Sequence, residues 1–237
     1  MKILSIGNSF SQDAQRYLHE LAKAEGVDIQ TQNLYIGGCS LETHYQNMKG
    51  DLMEYELERN GRGTTEKTSI RIALESEDWD VITVQQASHF SWNFETYLPY
   101  IVELVEYVRA LCPRVKIYIH ETWPYENGSE RLNSVNFNTS AEMYAALKKC
   151  YEQAFALVKA DGIIRCGTAI MEAINRGLTI HKDTFHAGVG AGRYMLALVW
   201  YKTLTGNDIS NNQFNDFDEP VSSFERKAVI EIANTVV

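Results

Sequence analysis

A chain of 237 residues with 31 acidic against 22 basic side chains carries a formal charge of −9, which removes any general attraction for phosphate backbones and makes nucleic acid a poor default partner. Hydrophobic residues at 45% and charged residues at 22% are the proportions of an ordinary globular protein, and the length suits one α/β domain around a single core. Lys2–Ile6 reads as a buried strand that runs into Gly7-Asn8-Ser9-Phe10-Ser11. Gln12–Ala24 places Ala14, Tyr17, Leu18, Leu21 and Ala22 on one helical face and is stopped by Gly26. Val27–Ile36 has strand character and is broken by Gly37-Gly38; Leu41–Met48 is a short helix. Within Asp51–Leu74, Met53–Arg59 and Thr64–Ile70 read as a hairpin about Asn60-Gly61, either a lid over a site or an edge extension of a sheet. Val81–Val84, after Trp79-Asp80, and Val115–Ile119 are apolar runs of strands buried on both faces, and between them Thr96–Leu111 is a helix stopped by Pro113. Ala141–Lys159 is a long helix, Gly162–Arg165 a short strand, Ala187–Thr205 a helix ended by Gly206, and Phe224–Val237 the last helix.

No repeat, low-complexity tract or linker divides the chain, so residues 1–237 read as one domain. Strands alternating with helices predict an α/β fold with a mostly parallel sheet covered on both faces. Ligands of such sheets sit outside the carboxyl ends of the strands. Gly7-Asn8-Ser9, Gly37-Gly38, Gln85-Gln86 and His120-Glu121 each follow a predicted strand, so four polar or glycine-bearing loops converge on one rim. No apolar run approaches the roughly 18 residues that span a bilayer, and Gly7-Asn8-Ser9 interrupts the first apolar stretch too early for a secretory signal. Cys39, Cys112, Cys150 and Cys166 are scattered with no CxxC pair, the pattern of free thiols in a reducing compartment. A cytoplasmic location is expected.

Asp183-Thr184-Phe185-His186 sets an acid three residues before an imidazole, a spacing that lets both side chains point the same way. With Ser9 at the edge of the first strand, the three groups of serine-based acyl transfer are present. Ser9 is the candidate nucleophile, His186 its base, and Asp183 the carboxylate that holds the imidazole tautomer. The negative tetrahedral intermediate needs donors, and the candidates are the Ser9 N–H, the Gly38 N–H and a side-chain amide of Gln85 or Gln86. Each feature alone has a plainer role: Ser9 or Ser11 as a helix cap, DxxH as an exposed polar turn, Gly37-Gly38 as a bend, the glutamines as partners for backbone groups. Their order and strand contexts are what one mechanism demands. The turn Gly7-Asn8-Ser9-Phe10-Ser11 is not the G-x-S-x-G elbow, and it lacks the glycines of a dinucleotide or phosphate loop. His120, Glu121, His181, Asp183 and His186 have no HExxH or comparable spacing. Neither a metal nor a phosphate-bearing cofactor is expected from these residues.

On these residues the chain resembles the SGNH (GDSL-like) hydrolase superfamily. Gly7-Asn8-Ser9-Phe10-Ser11 is similar to its first block, with Asn8 in place of the commoner Asp; Gly38 is similar to the glycine of the second block and Asp183-Thr184-Phe185-His186 to the last. The opening Gly-Asn-Ser-Phe, Trp79-Asp80 before a strand ending in Gln85, and the stretch from His186 to Gly206 resemble a bacterial subfamily of largely unassigned function. The third block departs from the family's Gly-x-Asn-Asp: the segment here is Val84-Gln85-Gln86-Ala87-Ser88-His89, in which a glutamine or His89 would complete the oxyanion hole. The resemblance implies a flavodoxin-like three-layer α/β/α sandwich and ester hydrolysis without cofactors. Members include lipases, thioesterases and esterases that remove acetyl groups from carbohydrates.

His89-Phe90-Ser91-Trp92 and Trp123-Pro124-Tyr125 both follow predicted strands, and 11% of the chain is aromatic, so His89, Trp92 and Trp123 are expected to line a sugar-stacking pocket. The leading expectation is an esterase acting through an acyl-Ser9 intermediate on a small O-acyl, chiefly O-acetyl, carbohydrate ester. Two alternatives stay open: a non-catalytic carbohydrate-binding protein on the same fold, and an acyltransferase using the same triad. The expected partner is a small-molecule ester, with neither nucleic acid nor membrane involved. The helices Ala141–Lys159 and Phe224–Val237 show no interface stripe that decides the oligomeric state.

Overall fold

The short apolar runs of the sequence form the middle of a seven-stranded sheet. The structure, a computed structural model, describes residues 1–237. The strands β1 (Lys2–Gly7), β2 (Gln30–Tyr35), β3 (Tyr55–Arg59), β4 (Arg62–Thr68), β5 (Val81–Val84), β6 (Lys116–His120) and β7 (Gly162–Ile164) lie in the order β4-β3-β2-β1-β5-β6-β7. Five strands, β2-β1-β5-β6-β7, run parallel, and β3 and β4 extend the β2 edge antiparallel. Every residue of β5 is buried, as are Ile3 to Gly7 of β1, which is what a helix layer on each face produces.

One layer holds α1 (Ser9–Gln15), α2 (Leu18–Ala24), α8 (Cys166–Asn175), α9 (Ala191–Thr205) and α10 (Ser223–Val236), which pack on one another. The other holds α3 (Leu41–Gly50), α4 (Ile70–Glu75), α5 (Tyr100–Leu111) and α7 (Ser140–Val158); the single-turn α6 (Glu130–Ser134) lies in the long loop after β6. Helix α9 is buried continuously from Tyr194 to Tyr201 because α10 covers the side that would otherwise face solvent. No helix is long and apolar enough to cross a membrane. This is the expected three-layer α/β/α fold.

The segment between residues 51 and 74 extends the sheet edge and does not form a lid. Asn60 and Gly61, both at positive φ (50° and 73°), make the two-residue turn that matches strand twist, and β4 presents Arg62, Glu66 and Lys67 along the outer edge, where charge opposes pairing with another sheet. The expected strand Thr64–Ile70 ends early, because the Ser69 hydroxyl accepts the Ile72 N–H at 3.3 Å and starts α4. The expected helix over residues 12–24 is two helices. Tyr17 sits between them, its hydroxyl donating to Val189 O (2.7 Å) and accepting the Asp218 N–H (2.9 Å). Helix α9 starts at Ala191, so Ala187 to Gly190 belong to the loop that carries His186.

Glu121, just past β6, is fully buried and accepts from the Thr168 hydroxyl at 3.1 Å. Burial pushes its carboxyl up to about 7, against an ordinary value near 4.3. The folded protein therefore binds more protons than the unfolded chain between these values. The stability this contributes is complete below about pH 4 and is lost as the pH rises through about 7. Glu121→Gln should melt progressively higher than wild type as pH is raised from about 5 to 8, with a constant gap above. A gap that does not change over that range would mean the carboxyl ionises normally.

Candidate active site

The ends of β1, β2 and β5 are brought level by the registers Gly7↔Tyr35 and Ile6↔Val84, and a cleft of about 390 Å³ opens above them. β1 leads through Asn8 into α1. Asn8, not Ser9 or Ser11, caps this helix: its Oδ1 accepts the Phe10 N–H at 3.0 Å, and Ser11 Oγ accepts the Asn8 N–H at 3.0 Å to close a capping box. Ser9 is thereby left as the first helical residue with its hydroxyl free of capping duty.

Ser9 Oγ lies 2.8 Å from His186 Nε2, and His186 Nδ1 lies 2.8 Å from Asp183 Oδ2. The carboxylate beside Nδ1 requires the proton there, so Nε2 is the acceptor that faces the serine. Asp183 Oδ1 also accepts the His186 N–H at 2.9 Å. Burial alone would raise the Asp183 carboxyl, but the hydrogen bonds from the His186 ring, from its N–H and from the Phe185 N–H outweigh it and hold the group below the usual carboxylate range.

The loop that carries Asp183 and His186 is clamped residue by residue. Thr184 stands at φ 74°, strained for a β-branched residue, and its carbonyl accepts the Glu126 N–H at 2.7 Å. Phe185 O accepts the Trp123 indole N–H at 2.7 Å. The Ala187 N–H donates to Asp13 Oδ2 at 3.0 Å, and Asp13 Oδ1 is held by Arg193 Nε at 2.8 Å. Asp13 and Arg193 were not singled out from the sequence. The available signal was that Asp13 follows Ser9 by four residues and so shares its helix face.

Two of the residues expected to supply oxyanion donors line the cleft. Gly38 is in the left-handed region at φ 65°, with its N–H free, and the Ser9 N–H is the first of its helix and has no partner within it. Gln85 and Gln86 do not reach the cleft. Gln85 Nε2 donates to Asn8 Oδ1 at 2.7 Å and its Oε1 meets His120 Nδ1 at 2.6 Å; Gln86 Oε1 accepts the Leu41 and Ala87 N–H groups, each at 2.9 Å, while its Nε2 donates to Thr96 O at 2.9 Å. Both amides are buried and committed to holding the three strand-end loops together. Ser88 and His89 are the residues after β5 that line the cleft. The His89 ring is half-buried, and burial together with the nearby Arg131 lowers its pKa, so it is neutral at neutral pH. Gln85→Ala should therefore cost about 1–3 kcal/mol of stability, from the unpaired buried groups it leaves. A hundredfold loss of turnover with stability unchanged would instead be the signature of a lost oxyanion donor.

Of the three expected stacking residues, only His89 lines the cleft. Trp123 is fully buried beneath it, with its ring 4.2 Å from that of Phe10. Trp92 packs edge-on against Phe137 at 5.6 Å, away from the opening. Large rings gain more from burial than from exposure on a rim, which sequence position alone does not register. His181 Nε2 donates to Pro124 O (3.0 Å) and His120 lies in the core, and no three His, Cys, Asp or Glu side chains converge as metal ligands.

Residues 2–235 match the model of a family described as "Domain of unknown function (DUF4886)". Among solved structures, a DUF4886 family protein from Bacteroides uniformis is 34% identical, with 99% of this chain and 93% of that chain covered and a TM-score of 0.91. A proposed SGNH hydrolase from Slackia heliotrinireducens is 24% identical over 86% of this chain and 98% of that chain, with a TM-score of 0.62. The psychrotrophic esterase EstA from Pseudoalteromonas sp., in a structure inhibited by monoethylphosphonate, is 13% identical over 86% of this chain and 97% of that chain, with a TM-score of 0.54. The last two share the fold. No protein with a curated description matches the chain.

Proposed function

The chain belongs to the DUF4886 family and has the SGNH hydrolase fold, and from its site we propose that it is a serine hydrolase of carboxylic esters working through an acyl-Ser9 intermediate. The observation that carries this reading is the continuous chain Ser9 Oγ–His186 Nε2 (2.8 Å) and His186 Nδ1–Asp183 Oδ2 (2.8 Å) at the mouth of an open cleft.

Ser9 Oγ attacks the ester carbonyl carbon as His186 Nε2 takes its proton, and Asp183 stabilises the resulting imidazolium. The carbonyl oxygen, now negative, receives the Ser9 and Gly38 N–H groups, with the neutral His89 ring as the third donor in place of the family asparagine. Collapse breaks the bond to the alcohol, which leaves with the proton from Nε2. Water then repeats the sequence, His186 deprotonating it, and the acid is released with Ser9 restored.

The substrate class we assign is a small O-acyl ester, chiefly O-acetyl, of a carbohydrate. The cleft is small, and its wall is polar apart from Phe10, Tyr35 and Phe185, so it offers no apolar channel for a long acyl chain. With 4-nitrophenyl esters, kcat/KM should fall at least tenfold from acetate to octanoate, on the scale of unfavourable burial of several methylenes without a pocket. A preference for octanoate would remove the short-acyl assignment. A third block without the family asparagine is compatible with a non-catalytic binding protein, but the assembled serine–histidine–aspartate chain favours catalysis. We place the activity in the reducing cytoplasm, where Cys39, Cys112, Cys150 and Cys166 stay free thiols.

A further inference from the structure

Among the residues that line the catalytic cleft, the charges are unequally used. Both carboxyl groups are engaged: Asp183 by His186, and Asp13 by Arg193 and the Ala187 N–H. Both cations, Arg131 and Lys182, are unengaged, and neither forms an ion pair with any acidic side chain of a protein that carries nine excess negative charges.

Arg131 is nevertheless held in place. Its guanidinium carbon lies 3.6 Å above the Phe185 ring and 5.5 Å from that of Tyr125. Stacking uses the face of the guanidinium and leaves its N–H edges free for an in-plane acceptor such as a carboxylate. Phe185 in turn lies 3.8 Å, ring to ring, from His186, and the Lys182 N–H donates to His186 O at 3.1 Å. Arg131 thus stacks on the ring next to the base, and Lys182, four residues before His186, lines the same cleft. Arg131 also borders a neighbouring cleft, but there it stands beside Glu130 and Asp183, so the two cations come together only in the cleft of Ser9.

Direction follows from the chemistry proposed above. The carbonyl oxygen points to Gly38, and the alcohol leaves toward His186, from which it takes its proton. From this arrangement we infer that the alcohol portion of the ester carries an anionic group, a carboxylate as in a sugar acid, bound by Arg131 and Lys182. The inference rests on the serine-hydrolase reading. It narrows the substrate from acylated sugars in general to acylated acidic sugars.

The test compares acetate release from O-acetylated methyl glucuronoside and O-acetylated methyl glucoside, which differ in a carboxylate against a hydroxymethyl group. A second pair, 4-nitrophenyl hemiglutarate and 4-nitrophenyl acetate, places the charge on the acyl side. Wild type should favour the glucuronoside by about tenfold in kcat/KM, the scale of one charge-assisted hydrogen bond. In Arg131→Gln/Lys182→Gln the preference should fall to near unity. No preference in wild type, a preference that survives in the double variant, or a preference confined to the hemiglutarate overturns the inference. Labelling of Ser9 by a fluorophosphonate reports the triad separately. An adduct without a glucuronoside preference removes the acidic-sugar assignment alone; no adduct and no acetate release from any ester removes the hydrolase reading with it.

Discussion

Ser9→Ala should lose about four to six orders of magnitude in turnover while melting within about 2 °C of wild type. The separation follows from what Ser9 does. Its hydroxyl meets His186 Nε2 at 2.8 Å and holds nothing else, because the helix cap belongs to Asn8 and Ser11. His186→Ala should lose activity on the same scale, and the double variant no more than either single one, since the two groups act as a unit. Asp183→Asn keeps the shape but offers an amide that can present N–H to Nδ1 and favour the wrong tautomer; a loss of about 10⁴-fold in kcat is expected. Turnover that persists in a folded Ser9→Ala variant would take the chemistry away from this site.

Trp123→Ala should destabilise the protein by about 3–5 kcal/mol, which for a chain of this length lowers Tm by about 6–20 °C. The ring is fully buried, packs 4.2 Å from Phe10 and donates its N–H to Phe185 O at 2.7 Å. It joins the helix of Ser9 to the loop of His186 from underneath. Trp123→Phe separates the two roles: most of the packing survives, but Phe185 O loses its donor. A fall of about tenfold in kcat is expected there with a much smaller change in Tm, because the loop is less firmly held. A Trp123→Ala variant with unchanged Tm and a raised KM would show instead that the ring contacts substrate, as its place in the sequence suggested.

That contrast marks how far the sequence could be read. β1, β5 and β6 were legible because strands buried on both faces are short unbroken apolar runs, and the loops after them inherit a common rim from the parallel topology. The Asn60-Gly61 turn was legible from backbone chemistry alone, but whether its hairpin joined the sheet depended on pairing with β2, 25 or so residues away in the chain. Helix α8 was missed because Arg165 precedes it without a side-chain cap, so it has no start signal. The break at Tyr17 was missed because no glycine or proline marks it; its cause is a hydroxyl bonded to two distant backbone groups.

Ser9, Gly38, Asp183 and His186 could be singled out from the sequence, and they line one cleft, because the position of each is set by its own loop. Gln85 and Gln86 could not be placed, because an amide's direction is decided by its partners. Those partners are Asn8 and His120 for the first, and Leu41 and Thr96 for the second. Asp13 carries its meaning only once Ala187 and Arg193 are folded against it.

The central claim is that Ser9 is an activated nucleophile in the free protein. Intact mass after incubation with a fluorophosphonate tests it most directly, with wild type, Ser9→Ala and His186→Ala side by side. A single adduct on wild type that is absent from both variants is the predicted result. A folded wild type that takes no adduct, or a Ser9→Ala variant that takes the same one, would contradict it.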